Sequence, residues 1–244
     1  MVSRLRCFIG GILFCFFSSS FALHATENDD LVKAMMEVYA EELAANPQDY
    51  RTYYSRAMAY FGQGDMKKAL SDIDNAIKYF PRKEKDDLAQ AYLLRAKILS
   101  ERGETKSALT DLNSALRLVP NHRLALKDRG DLLCRLGQYD MAKIDYNHLL
   151  RMDTRSQSAF MGLARVEAHT GQPVRAKDLL AQAVNLSPKD PKIYLERSEI
   201  YKEMDMMPEA VDDLVYAVSL DDGHSGAIPV SYTHLRAHET RGNL

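Results

Sequence analysis

The chain has too few cysteines, too little net charge and too short an apolar run for several classes of protein. Only three of its 244 residues are cysteine, and two of them, Cys7 and Cys15, lie near the N-terminus. If those leave with an export signal, Cys134 stands alone and no intramolecular disulfide forms, even in an oxidising compartment. Such a thiol reads as a small, half-buried packing residue rather than a redox centre. The formal charge is −2 and the pI about 6.4. Phosphate binding leans on clustered Lys and Arg, so nucleic acid is not the expected partner. The one long apolar run, Cys7 to Phe17, is eleven residues. At about 1.5 Å per residue it falls well short of a hydrocarbon core of about 30 Å. What remains is ordinary, with 46% apolar and 27% charged residues. That composition excludes collagen-like, wholly disordered and multi-span membrane chains.

The two ends stand apart from the rest. Arg4 and Arg6, the apolar run, Ser18-Ser19-Ser20 and the small-residue stretch Phe21 to Ala25 follow the order of a secretory signal peptide. Residues 1–25 are read as that signal, with cleavage after Ala22 or Ala25, so the mature chain is expected to be exported and not inserted in a membrane. The expected compartment is the periplasm if the source is bacterial, otherwise the secretory pathway. The bulky Phe14 just before Cys15 argues against lipid attachment there. At the other end, Pro229 to Thr240 resembles the translated read-through of a tagmentation sequencing adapter over twelve consecutive residues. Residues 229–244 are therefore expected not to belong to the natural protein, and the spacing of His234 and His238, which two metal ligands on one helix face would share, is given no weight. Without the two ends the chain has 28 Lys and Arg against 33 Asp and Glu, a charge of −5.

The middle is one pattern written five times, at residues 50–83, 89–122, 123–156, 157–190 and 191–224. The starts Tyr50, Ala89, Arg123, Gln157 and Pro191 are 39, 34, 34 and 34 residues apart, the extra five lying around Lys83 to Asp87. Position 20 is Ala69, Ala108, Ala142, Ala176 and Ala210, and position 15 is Gly64, Gly103, Gly137, Gly171 and Asp205. Position 8 is small throughout, as Ala57, Ala96, Gly130, Ala164 and Ser198. Apolar residues three and four apart, as in Leu109, Leu112 and Leu116, give each unit helical periodicity. Each therefore reads as helix, turn, helix: glycine at position 15 ends the first helix in a left-handed conformation, and Pro173 and Pro208 stand where a second helix begins. Small residues at positions 8 and 20 let the two helices approach closely.

This pattern resembles the tetratricopeptide repeat, whose period is 34 residues. The resemblance covers Tyr50 to His224 and implies an all-α fold, a right-handed α-solenoid of helix-turn-helix units. Residues 26–49, with the apolar-periodic stretch Leu31 to Ala45, read as an N-terminal capping helix, and residues 225–228 as the start of a truncated sixth unit.

One pairing is legible inside the repeats. Position 7 is Arg56, Arg95, Arg129 and Arg197 in units one, two, three and five, where position 23 is Asp72, Asp111, Asp145 and Asp213. In unit four both change together, to Leu163 and Leu179. The two positions lie eight residues either side of the turn, at equal height in an antiparallel hairpin roughly 12 Å from it. Four intra-unit Arg–Asp bridges are expected, with an apolar contact in unit four. A row of ligand-reading arginines would not explain why the aspartate leaves with the arginine. Each bridge is worth roughly 0–1 kcal/mol if exposed and more if partly buried and bidentate.

Function follows from the resemblance more loosely than fold does. In this family the first helices line a concave groove, through positions 2, 5, 9, 12 and 13. Carried over, the resemblance implies a groove built from Arg51, Tyr54, Met58 and Phe61 in unit one, with Leu93 and Lys97 in unit two. Units three and four add Lys127, Asp131, Cys134, Arg135, Met161 and Arg165, and unit five adds Leu195. Such a groove suits a peptide or protein segment with an apolar anchor followed by charged residues. The Tyr54, Met58 and Phe61 stripe could equally pack against the capping helix. The family's clamp for a C-terminal carboxylate needs asparagines that are absent from the corresponding positions, so a chaperone tail is not expected. No enzyme, cofactor or metal is expected either: His122, His148, His169 and His224 are scattered over turns and both helix types, and the glycines follow the repeat instead of clustering over a phosphate. Glu167, at a position that is Tyr or Leu in the other units, reads as a solvated or locally paired carboxylate, with a specificity residue as the alternative. The expected role is an exported, non-catalytic scaffold or assembly factor. The alternative is an N-terminal docking domain of a larger enzyme or membrane-associated protein.

Overall fold

A computed structural model describes residues 24–221. The expected export signal up to residue 23, the expected start of a sixth unit and the adapter-like segment lie outside these described residues.

Local chemistry sets the helix ends. At position 15, Gly64, Gly103, Gly137 and Gly171 take φ of 70° to 78°, and Asp205 takes 58°, the region an ordinary side chain avoids. The turn closes in the same way each time: the amide after the glycine reaches back to the carbonyl five residues before it, as in Asp65 N to Tyr60 O at 2.9 Å and Gln138 N to Leu133 O at 2.8 Å. Starts are capped by Asp49, Asp65 and Asp190, whose carboxylates accept from the backbone amide of Arg51, Lys68 and Lys192. Pro173 and Pro191 open their helices where no N–H is needed.

The described residues form eleven helices and no strand. One compact unit, ending at Phe80, holds α1 (His24–Ala45), α2 (Tyr50–Gly62) and α3 (Met66–Tyr79). The other, from Pro81, holds α4 (Lys85–Glu101), α5 (Thr105–Leu118), α6 (Arg123–Arg135), α7 (Tyr139–Met152), α8 (Gln157–His169), α9 (Pro173–Leu186), α10 (Pro191–Glu203) and α11 (Met207–Asp221). Hairpins α2/α3, α4/α5, α6/α7, α8/α9 and α10/α11 are the five repeats. Within the second unit α5 packs on α6, α7 on α8 and α9 on α10, which makes an all-α helical-repeat solenoid. The extra residues before Ala89 lengthen α4, which begins at Lys85 with Asp86 and Asp87 in its first turn, where the helix dipole favours them.

The small-residue positions are the seams of this packing. Ala69, Ala108, Ala142, Ala176 and Ala210 are all fully buried, as are Ala57, Ala164 and Ser198 from position 8. All four Arg–Asp bridges form, and each is a two-pronged fork. Arg56 donates to both oxygens of Asp72 at 2.6 and 2.8 Å, and Arg95 to both of Asp111 at 2.7 Å. Arg129 reaches Asp145 at 2.8 and 2.6 Å, and Arg197 reaches Asp213 at 2.7 and 2.5 Å. The aspartate side chains are only 2% to 6% exposed. The hydrogen bond to Asp72 raises the Arg56 pKa above its ordinary value. For Arg197 burial works in the opposite direction, and the bond and charge of Asp213 overcome it. Where the first helix carries Tyr at position 4, the guanidinium also lies over that ring, at 5.8 Å for Tyr53, 5.5 Å for Tyr92 and 5.2 Å for Tyr194. In unit four Leu163 is buried, and Leu179 is partly buried against the core that includes Ala164 and Leu180.

Candidate functional site

The residues singled out in the sequence lie on the first helix of each repeat, so their placement is set by helical spacing. In the first compact unit, Arg51, Tyr54, Met58 and Phe61 step along α2 at intervals of three and four and so share one face. Arg51 is exposed at the helix start, where its Nε donates to the Tyr50 hydroxyl at 2.9 Å. Tyr54 and Phe61 are half-buried and Met58 is 42% exposed, so the capping helix α1 leaves part of the stripe uncovered. The contact between α1 and α2 includes Thr52, whose buried hydroxyl donates to Glu42 at 2.9 Å.

In the second compact unit, side chains from consecutive first helices reach one another. Lys97 on α4 stands 3.8 Å from an Asp128 oxygen on α6, and Arg135 at the end of α6 donates back to the Ser100 hydroxyl on α4 at 2.8 Å. Between α8 and α10, Glu203 receives both Arg165 at 3.2 Å and His169 at 3.3 Å. Lys127 and Asp131, one turn apart on α6, pair at 2.7 Å. Leu93 departs from the expectation: it is 3% exposed and turned into the core, so it serves packing. The flanking Cys134 and Met161 are buried for the same reason, each at a point where neighbouring helices crowd its face. Leu124 on α6 and Leu195 on α10 remain exposed. Beside Lys127 a cavity of about 120 Å³ opens, with Arg123, Leu124, Leu149, Asp153 and Ser156 in its walls.

The electrostatics of this face follow from partial burial. Burial alone would depress the Lys127 pKa, but the charge and hydrogen bond of Asp131, helped by Asp128 and Glu196, hold it above the ordinary lysine value. Asp128 moves the other way from most ion-paired carboxylates: burial raises its pKa against the pull of Lys97 and Lys127, and its Oδ2 has no hydrogen-bond partner. Burial also pushes up the Cys134 thiol, which is a poor nucleophile in consequence.

Two buried polar residues had only faint signals in the sequence. Glu167 is 3% exposed, not solvated, and is held by Lys143 on α7 at 2.7 Å and Arg175 on α9 at 3.4 Å. Its departure from the Tyr or Leu of the other units was the only trace of that pairing. Tyr146 on α7 is fully buried, and its hydroxyl donates to Asp131 Oδ1 at 2.6 Å. Its trace in the sequence was an aromatic at position 24, where the other units carry Ile73, Leu112, Leu180 and Leu214.

His122 and His148 have local structural partners. His122 caps α6 by accepting from Ala125 N at 3.2 Å, and His148 lies 3.0 Å from the Asn121 side chain. Among the described residues no group of three or more His, Cys, Asp and Glu is placed to hold a metal ion, and no helix is long and apolar enough to cross a membrane.

The family profile that matches the chain is the tetratricopeptide repeat, over residues 54–123 and 127–191, more than half of its length. No curated protein matches it. Among solved structures, a tetratricopeptide repeat protein from Parabacteroides merdae is 27% identical with a TM-score of 0.66, the match covering 77% of this chain and 72% of that one. MamA from Desulfovibrio magneticus is 18% identical with a TM-score of 0.56, over 71% of this chain and 96% of that one. YrrB, described as a TPR protein with an unusual peptide-binding site, is 17% identical with a TM-score of 0.53, over 76% and 93%.

Proposed function

The chain belongs to the tetratricopeptide repeat family, and we propose that it is an exported, non-catalytic scaffold that binds a peptide or protein segment on the face of its first helices. The observation that carries this reading is the surface of α4, α6, α8 and α10. There Lys97, Lys127, Asp131, Arg135 and Arg165 stand part-exposed beside exposed Leu124 and Leu195, next to an open recess. Alternating charge with isolated leucines suits an extended segment that presents polar groups and a few apolar anchors. In the first compact unit the exposed Met58 on α2, with Tyr54 and Phe61 beside it, offers an apolar contact of its own. The likeness to YrrB supports the fold such binding needs. Export rests on Arg4, Arg6 and the apolar run from Cys7 to Phe17.

One preparation tests both parts. The full chain is expressed in a bacterium, the periplasmic fraction is collected, and the mature N-terminus is sequenced. Cleavage after Ala22 or Ala25 is expected, and an intact Met1 in the cytoplasmic fraction would overturn export. Peptides selected on that mature protein from a random library are then measured against Lys127→Ala, Arg165→Ala and Tyr54→Ala/Phe61→Ala. Loss of affinity with melting unchanged is expected for Lys127→Ala or Arg165→Ala. Indifference to all three variants would place binding elsewhere.

A further inference from the structure

Four of the five repeats carry an aliphatic side chain midway along the second helix, and the third does not. Ile73, Leu112, Leu180 and Leu214 occupy position 24, against Tyr146. The tyrosine fits only because two neighbouring helices give up a Cβ. A methyl at Gly130 on α6 would stand 2.8 Å from the Tyr146 ring, and one at Gly162 on α8 would stand 2.2 Å from it. Both glycines are inside helices, where each costs roughly 1 kcal/mol relative to alanine. Leucine fills the same place in unit four without that cost, so packing alone does not explain the tyrosine.

What the tyrosine adds is a hydroxyl delivered through the core to the binding face. It donates to Asp131 Oδ1 at 2.6 Å, while Asp131 Oδ2 accepts from the Lys127 ammonium at 2.7 Å. The Cys134 sulfur closes the pocket around the hydroxyl at 3.8 Å. With both oxygens held, the carboxylate keeps one orientation, and it still has lone pairs to accept one further donor. Lys127 in turn keeps N–H groups that Asp131 does not use. The two side chains are 39% and 30% exposed, so both remain within reach of a bound chain. A fixed acceptor beside a fixed donor matches an N–H and a C=O that point the same way: those of a primary Asn or Gln amide, or those of one residue in an extended segment, since the two groups of a single trans peptide point apart.

We infer that Tyr146 is a positioning residue for the binding face: it locks Asp131 against Lys127, and the resulting fork takes an N–H and C=O pair of the bound segment. The C=O accepts from Lys127 and the N–H donates to Asp131. This rests on the reading of the first helices as the binding surface. The N–H and C=O belong to the side-chain amide of an Asn or Gln or to the backbone of one extended residue of the segment.

The test uses peptides selected on the mature protein from a random library and retained for their dependence on Lys127. Tyr146→Phe keeps the ring in its glycine slot and removes only the hydroxyl. It should weaken these peptides roughly five- to tenfold, about the net worth of one ordinary hydrogen bond, and should have no effect in an Asp131→Ala background. Heteronuclear NMR of the Lys127 side chain, followed against pH, should show its titration moving back toward ordinary lysine in Tyr146→Phe as Asp131 loosens. Unchanged affinity and unchanged Lys127 titration would overturn the inference while leaving the binding face in place. Absence of any Lys127-dependent peptide would overturn both. N-methylation along the peptide backbone and replacement of its Asn or Gln residues separate the two amide sources, and indifference to every such change would overturn the amide assignment.

Discussion

The Arg–Asp pairs show how a single residue's worth depends on its burial. An exposed pair contributes little, but Asp111 is 5% exposed and Arg95 holds both of its oxygens. Two parallel bonds to a nearly buried carboxylate should couple by about 2 kcal/mol. Removing Arg95 alone strands the carboxylate and should cost about 3 kcal/mol or more. Unit four already carries the apolar solution in Leu163 and Leu179, so Arg95→Leu/Asp111→Leu should be more stable than either single leucine variant. Urea denaturation of the wild type, the two single variants and the double variant measures the cycle. Additive losses would show that the fork contributes nothing beyond its separate side chains. The pairing was legible in the sequence because arginine and aspartate leave together. Its burial was not, since that depends on how closely the neighbouring helices approach.

At the scale of the element, the turn glycines and the seam alanines were legible because each recurs at one register, the position-20 alanine in all five units and the glycine in four. A feature present in only one unit has no recurrence to explain it, which is why the Tyr146 slot, and the burial of Glu167 against Lys143 and Arg175, emerged only from packing. The start of α4 at Lys85 was hidden for a related reason: the extra residues break the period, and only the first-turn dipole interaction with Asp86 and Asp87 marks them as helix. The end of α2 offers a direct check on the turn chemistry. Gly62 is the last residue of the helix with open space at its missing Cβ, whereas Gly64, two residues on, has φ of 78°. Gly62→Ala should stabilise by about 0.5 kcal/mol by restricting the unfolded chain. Gly64→Ala should destabilise by about 1 kcal/mol, because alanine meets its own carbonyl in the left-handed region. Opposite shifts in melting temperature are expected from the same substitution, and shifts of one sign would contradict the assigned turn.

Across the molecule, stability in a repeat array is a sum of unit and neighbour terms, so a hairpin with one packed flank should open before one with two. In the second compact unit α6 to α9 have packed neighbours on both sides. The outer face of α11 instead exposes Met207, Val211, Val215 and Val218 at 41% to 59%, residues spaced to form one stripe. The equivalent of Val218 on α5 is Leu116, which is buried beneath the next repeat. Burying an aliphatic side chain of this size is worth roughly 1.5–3 kcal/mol, a contribution that no helix among the described residues supplies at this stripe. Native-state hydrogen exchange should therefore show the weakest protection of this unit in α10 and α11 and the strongest in α6 to α9, with the α11 amides exchanging through local opening. Protection in α11 equal to that in α7 would mean that its apolar stripe is covered in solution. Val215→Glu then decides between the two states: on an uncovered face it leaves the exchange pattern within experimental error, and on a covered one it collapses the protection of α11.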